Sequence, residues 1–298
     1  MRGIGTDAGA SRTAEPYGRT MHTNLSSPRD TWGENMDLRT SGRIFGWLFI
    51  GTFITSIPAR LLFIHGVGAS WTNMHFVPGD TSTTSLKFGG VLEFGLIVTQ
   101  IGTALVLYPV ARRLSETIAL SYVAARVMES VFAAIGLMSI ISVVSVAGAL
   151  HGATSSGAVA LTAQGNSLVH TYEWAFEWGP GLVAGIGNGL IVGYLMYKTG
   201  LVPRRMALLG LAGGSVLILN FALILADVYK NGEGPSGLLT LPEAAWELYL
   251  GIYCAWRGFH SSSLVAEPAA HADRVMFVSP ESRPPSERQP ATDQNARL

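Results

Sequence analysis

The stretch IALSYVAARVMESVFAAIGLMSIISVVSVAGA, Ile118–Ala149, decides the fold. It contains two charged residues, Arg126 and Glu129, and no proline. A bilayer is crossed by roughly 20 apolar residues, so this run is long enough to span one. Hydrocarbon offers no water to backbone N–H and C=O groups, which leaves only helices and closed barrels as spanning structures. Barrel strands are shorter and alternate in polarity, so this run reads as a helix.

Five further apolar runs flank it: Ile44–Ile64, Leu86–Pro109, Pro180–Tyr197, Arg205–Val228 and Leu241–Phe259. The basic residues between them alternate by loop. Arg39 and Arg43 precede the first run, and Arg112 and Arg113 follow the second. Lys198, Arg204 and Arg205 join the fourth to the fifth, and Arg257 closes the sixth. The remaining connections hold only Lys87 and Lys230. This is the positive-inside pattern, with both termini in the cytoplasm. The expected fold is all-α, a six-helix transmembrane bundle over residues 41–259. Residues 1–40 and 260–298 are expected as disordered cytoplasmic tails, because neither could bury enough surface to offset its ordering entropy.

Composition agrees. Only 13% of the 298 residues are charged, against about a quarter in soluble domains. The formal charge is zero, which offers no case for a nucleic-acid partner. A single cysteine, Cys254, rules out an internal disulfide and a zinc site built from several thiolates. Residues 1–40 show no apolar core of a signal peptide, so Ile44–Ile64 is expected as an uncleaved first anchor.

The loops Gly66–Ser85, with Trp71, His65 and His75, and His151–Gln164 are expected on the outer side. His170–Trp178 reads as a short amphipathic segment on the outer surface, ended by the Gly179-Pro180-Gly181 break, with Pro180 opening the fourth span. In that span Gly181, Gly185, Gly189 and Gly193 recur every four residues. They form a stripe on which a neighbouring backbone can pack closely, with Gly210 and Gly214 of the fifth span as its natural partners.

Five charged residues lie four or more positions in from the ends of the runs: Arg60, Glu93, Arg126, Glu129 and Glu247. Each is costly against lipid and is expected to face inward, pair or meet water. At 1.5 Å per residue, Glu93 and Glu247 lie about 10 Å below the outer boundary and Glu129 near the middle. Arg126 and Glu129, three apart on one helix, share a face and can pair. Arg60 can reach Glu93 or Glu247. Two positive and three negative groups leave one carboxyl without a basic partner, and such a group is expected to hold a proton. Gln100, Asn188 and Asn220 lie at similar depth and could line a cavity with these charges or bond between helices.

Other chemistry lacks its residues. There is no phosphate-cradling glycine loop with its lysine, no two-histidine zinc motif and no nucleophile elbow. No catalytic residue, cofactor or metal is therefore assigned.

Four stretches resemble a bacterial membrane-protein family known as domain of unknown function 4386. They are RIFGWLFIGTFITSIP (Arg43–Pro58), IGTALVLYPVARRLSETIALSYVAARVMES (Ile101–Ser130), YKTGLVPRRMALLGLAGG (Tyr197–Gly214) and WELYLGIYCAWRGF (Trp246–Phe259). The resemblance covers roughly residues 41–259 in order and implies a multi-span protein of a bacterial plasma (inner) membrane, with no assigned reaction. The leading functional expectation is a binder or carrier of a small polar solute or protons. Glu93, Glu129 and Glu247 would be its acceptors, and Arg60 and Arg126 their partners, beside Asn188. The alternatives are an accessory protein acting through helix packing and tail docking, and, behind it, a membrane-embedded enzyme. The expected partners are the lipid bilayer, a small polar solute, and a second copy or another protein.

Overall fold

The computed structural model describes residues 37–69 and 74–262. The expected tails, but for a few residues at their inner ends, and Trp71 lie outside the described residues. Six long helices follow one another: α1 Leu38–Gly66, α2 Thr83–Ala111, α3 Glu116–Leu150, α4 Ser155–Thr199, α5 Arg204–Leu225 and α6 Ser236–Arg257. No strand occurs among the described residues. The first five helices are long and apolar enough to cross a membrane. The sixth does not reach that standard, because Glu243, Glu247 and Arg257 interrupt it. Its apolar and polar residues are instead more sharply segregated than in the other long helices.

Helix ends follow local chemistry. The side chains of Ser82, Ser115 and Thr154 accept hydrogen bonds from the backbone N–H groups of Ser85, Ile118 and Gly157, capping α2, α3 and α4. Gly200, at φ 70°, lets the chain leave α4 in the left-handed conformation that side-chain-bearing residues avoid.

The helices close into a ring in chain order. Each packs on the next, and α6 returns to pack on α1. At one end Phe45, Leu107, Ala119, Leu201, Trp246 and Phe259 join in an apolar cluster. This end gathers the start of α1, the α2–α3 and α4–α5 turns and the end of α6, which are the basic segments of the sequence. At the other end Phe63, Phe76, Leu86, Ile140, Val169 and Tyr172 form a second cluster. Bulky apolar side chains such as Trp47, Val91, Met138 and Trp256 are left on the outside, as helices in contact with lipid require.

Two expectations change at α4. The stretch read as the His151–Gln164 loop is mostly helix, since Ser155 already lies in α4. Its small residues carry little apolar signal and most are exposed, and just beyond it Gly165 admits the ring of Phe76 against the backbone. The Gly179-Pro180-Gly181 sequence does not break the helix either. The chain passes from α-turns into two π-helical stretches, Glu177–Val183 and Gly185–Val192, and returns to α-helix at Gly193. The wider i→i+5 turn carries Pro180, whose ring would press on a carbonyl in an α-turn. His170–Trp178 is therefore the middle of a 45-residue helical run, not a separate surface segment.

Glycines set two close crossings. A Cβ on Gly185 would lie 3.1 Å from the carbonyl oxygen of Gly214, and Gly189 also lies against Gly214, so α4 and α5 meet backbone to backbone. Gly193 faces Leu211 in the same way. Gly210 instead accommodates Trp246 of α6, and Gly181 faces the Glu177 side chain. The second crossing joins Gly42 and Gly46 of α1 to Cys254–Phe259 at the end of α6.

Gly214→Leu should overpack the first crossing and destabilise the protein by about 1–3 kcal/mol or more. Gly148→Ala, in α3 with open space where its Cβ would stand, should be neutral or stabilise by about 0.5–1 kcal/mol. Thermal unfolding of the purified protein in detergent checks both. Equal melting temperatures for Gly214→Leu and wild type would rule out the α4–α5 crossing.

Candidate functional site

Between the two apolar clusters the ring of helices encloses a cavity of about 390 Å³. Six carboxyl groups and two guanidinium groups line it: Glu93, Glu129, Glu173, Glu177, Glu243 and Glu247, with Arg60 and Arg126. Thus all five ionisable residues expected to face inward border one space. Asn220 and Gln100 line it too. Asn188 does not line it but holds Glu247 from behind.

The floor is built on α2 and α3. Arg126 and Glu129 point inward from one face of α3, 1% and 4% exposed. Arg126 Nη1 donates to Glu129 Oε2 at 2.7 Å. Gln100 of α2 donates through Nε2 to Glu129 Oε1 at 2.8 Å and accepts from the Ser130 hydroxyl at 3.1 Å. Arg126 Nε donates to Thr103 Oγ1 at 3.1 Å, and the guanidinium lies 5.5 Å from the centre of the Phe49 ring. Tyr122 donates to the same threonine hydroxyl at 3.3 Å. A buried ion pair repays its desolvation only when such extra hydrogen bonds complete it.

Glu247, one of the two partners open to Arg60 in the sequence, belongs to this layer. Its Oε1 accepts from Asn188 Nδ2 at 2.6 Å, and the charges of Glu129 and Arg126 act on it. The carbonyl of Asn188 accepts from the Trp246 indole at 3.1 Å. α4 and α6 are thereby tied one turn from the cavity floor.

Arg60 occupies the opposite part. Its guanidinium is 5.2 Å from the Tyr172 ring centre and 5.0 Å from that of Phe176, a cation–π sandwich that holds the charge in place. It acts electrostatically on Glu93, Glu173 and Glu177. Both partners the sequence allowed, Glu93 and Glu247, border the cavity with Arg60, and neither forms a close ion pair with it.

Three further carboxyls join those expected inside. The sequence puts Glu173 and Glu177 on a surface segment, because Pro180 reads as a break. With α4 continuous, their spacing of four turns both inward, and Glu177 is buried. Glu243 stands one helical turn before Glu247. That i, i+4 repeat in a run of apolar residues was the available signal. Glu243 lies in the notch left by glycines: a Cβ on Gly213 would come 2.7 Å from its Oε2, and one on Gly189 3.0 Å from its Oε1.

Several buried polar atoms have no hydrogen-bond partner: both oxygens of Glu243, the Ser236 hydroxyl, Arg60 Nη1, Arg126 Nη2 and Asn188 Oδ1. All but the last belong to residues bordering the cavity. The histidines do not assemble. His65 bonds to Ser85, His151 to the carbonyl of Ala147, and His170 lies 3.4 Å from Glu173.

Apolar outside, charged inside, and built of helices long enough to cross a membrane, the fold defines a multi-pass α-helical membrane protein. The chain belongs to the family described as Domain of unknown function (DUF4386), whose model matches residues 44–258. No match was found among curated proteins or among solved structures.

Replacing one member of the Arg126–Glu129 pair by leucine should destabilise the protein by about 3–5 kcal/mol, because the other charge stays buried alone. Arg126→Leu with Glu129→Leu should cost less than either single change. A double-mutant cycle by thermal unfolding measures this, and strictly additive effects would show that the pair is not coupled.

Proposed function

We propose that the protein binds a small polar solute in this cavity and carries it across the bilayer, coupled to protons. The observation supporting this is the charged cavity enclosed by the ring of helices. It extends from Arg126 and Glu129, midway along α3, to Asn231 and Gly232 in the α5–α6 connection. At the other end the apolar cluster with Phe45, Leu107 and Trp246 fills the ring. A space that reaches one end and is plugged at the other is the form a carrier takes when open to one side. The volume falls within the range of small-molecule sites.

On this reading α6 is the sixth span, because it lies between α1 and α5 and presents Glu243 and Glu247 inward. The basic end then faces the cytoplasm of a bacterial cell, and the cavity opens outward. The glycine stripe, which an accessory role would offer to a partner, is largely occupied by α5 of the same chain.

Liposomes holding the purified protein and a pH-sensitive dye test the proposal. Organic amines, amino acids, carboxylates and sugars are added in turn. At least one class should drive proton movement, and Glu247→Gln should abolish it. No movement with any class, or undiminished movement in Glu247→Gln, would refute the carrier reading.

A further inference from the structure

The carboxyls of the cavity are unequally served. Glu129 has Arg126 and Gln100, Glu247 has Asn188, Glu173 has His170, and Glu93 and Glu177 border the same cavity as Arg60. Glu243 is 2% exposed and has no partner for either oxygen. The charges that act on it are those of Glu247, one turn along α6, and Glu129 on α3, both negative. Ser236, at the start of the same helix, borders the cavity and also has a buried hydroxyl without a partner. A buried carboxyl facing like charges needs a positive group or a proton beside it.

A proton meets that need while the site is empty, and a solute that displaces it must bring a positive charge, because the protein's own cations are engaged elsewhere. Arg126 is held by Glu129 and the Phe49 ring, and Arg60 by Tyr172 and Phe176. Nor do the donors suit a metal ion, since no three His, Cys, Asp or Glu side chains among the described residues are grouped closely enough to hold one. An ammonium group needs only a carboxylate and one or two further acceptors. Its hydrocarbon part would meet Leu217 and Ala244 in the cavity wall.

We infer that the Glu243–Ser236 end of the cavity binds the ammonium group of a small organic amine. Glu243 is the counter-ion, Ser236 Oγ accepts a second N–H, and Glu247 adds negative potential from the next turn. This rests on the reading of the cavity as a solute site and names the class of solute. An amine is protonated at neutral pH and arrives carrying the charge that Glu243 lacks beside it.

Calorimetric titration of the full-length protein in lipid nanodiscs separates the possibilities. The probes are butylamine, 1,4-diaminobutane, butyrate and 1-butanol, which share a four-carbon chain. The amines should bind, whereas butyrate and butanol should not. Glu243→Gln, nearly isosteric, should weaken amine binding about ten- to a hundredfold, as loss of a charged hydrogen bond does. Ser236→Ala should weaken it by a smaller factor and serves if Glu243→Gln does not fold. Butyrate or butanol binding as tightly as butylamine would overturn the ammonium assignment while leaving the cavity a solute site. Amine affinity unchanged in Glu243→Gln would overturn the role of Glu243, and so would unchanged affinity in Ser236→Ala if only that variant folds. Absence of binding by either amine overturns the inference outright, and the liposome measurement with the other solute classes then decides the broader reading separately.

Discussion

A guanidinium and a carboxylate shut away from water in the middle of a helix set the terms for this fold. Arg126 and Glu129 can stay ionised only while each keeps the other and while α2 supplies Gln100 and Thr103 to the remaining hydrogen-bonding positions. Such a pair contributes little net stability, because desolvation consumes most of its Coulomb energy. Its effect is to penalise every arrangement that separates the partners. A rotation of α3 that brought either residue to the lipid face would expose a charge to hydrocarbon, and a slide of α2 would strand the amide of Gln100. The registry of α2 against α3 is therefore specified by polar contacts, while the apolar surfaces, which lipid solvates as well as protein does, specify little.

The glycines complement this constraint from the steric side. Where Gly42 and Gly46 lie on the end of α6, and Gly185 and Gly189 on Gly214, helices approach until backbone meets backbone. Elsewhere the ring cannot close as tightly, and the space that remains is the cavity. Glu243 joins the two themes, since its carboxyl sits where Gly189 and Gly213 withhold side chains. A stripe of missing side chains thus serves packing and also makes room for a charged group at the cavity wall.

Much of this could be read from the chain before any coordinates. The apolar runs gave the helices, and the Arg126–Glu129 spacing gave the pair, because both signals are local and periodic. The largest departure is at α4. Pro180 between two glycines is a breaker under α-helical rules, so α4 was divided and its inward carboxyls were assigned to a surface. A π-turn removes the conflict by widening the helix, and no local propensity announces it. The continuation of α4 back toward Ser155 is hidden by small, largely exposed residues that carry no apolar period. Depth along separate helices was also a poor guide to pairing. Glu93 and Glu247 are expected at equal depth, yet the first lies with Phe132, Tyr172 and Phe176 and the second beside Asn188, because position around the ring decides contact and rise along one helix does not encode it. The crossing of Gly42 and Gly46 onto the end of α6 emerges only from the structure.

Charge arithmetic then leads from architecture to activity. Six carboxyls and two guanidiniums border one enclosed space, and all eight residues fall within residues 44–258, the stretch that defines the family. If every group were ionised, the cavity would carry four uncompensated negative charges in a medium that tolerates none. Neutrality must come from protons, from a bound cation, or from an exchange of one for the other. A structural clamp needs no such surplus, because equal numbers of opposite charges fix helix registry at lower cost. The surplus fits the proposed carrier, in which protons would occupy the site when it is empty and a cationic solute would displace them on entry. On that account, the unpaired carboxyls are the working part of the molecule, and the Arg126–Glu129 pair is the fixed floor against which they act.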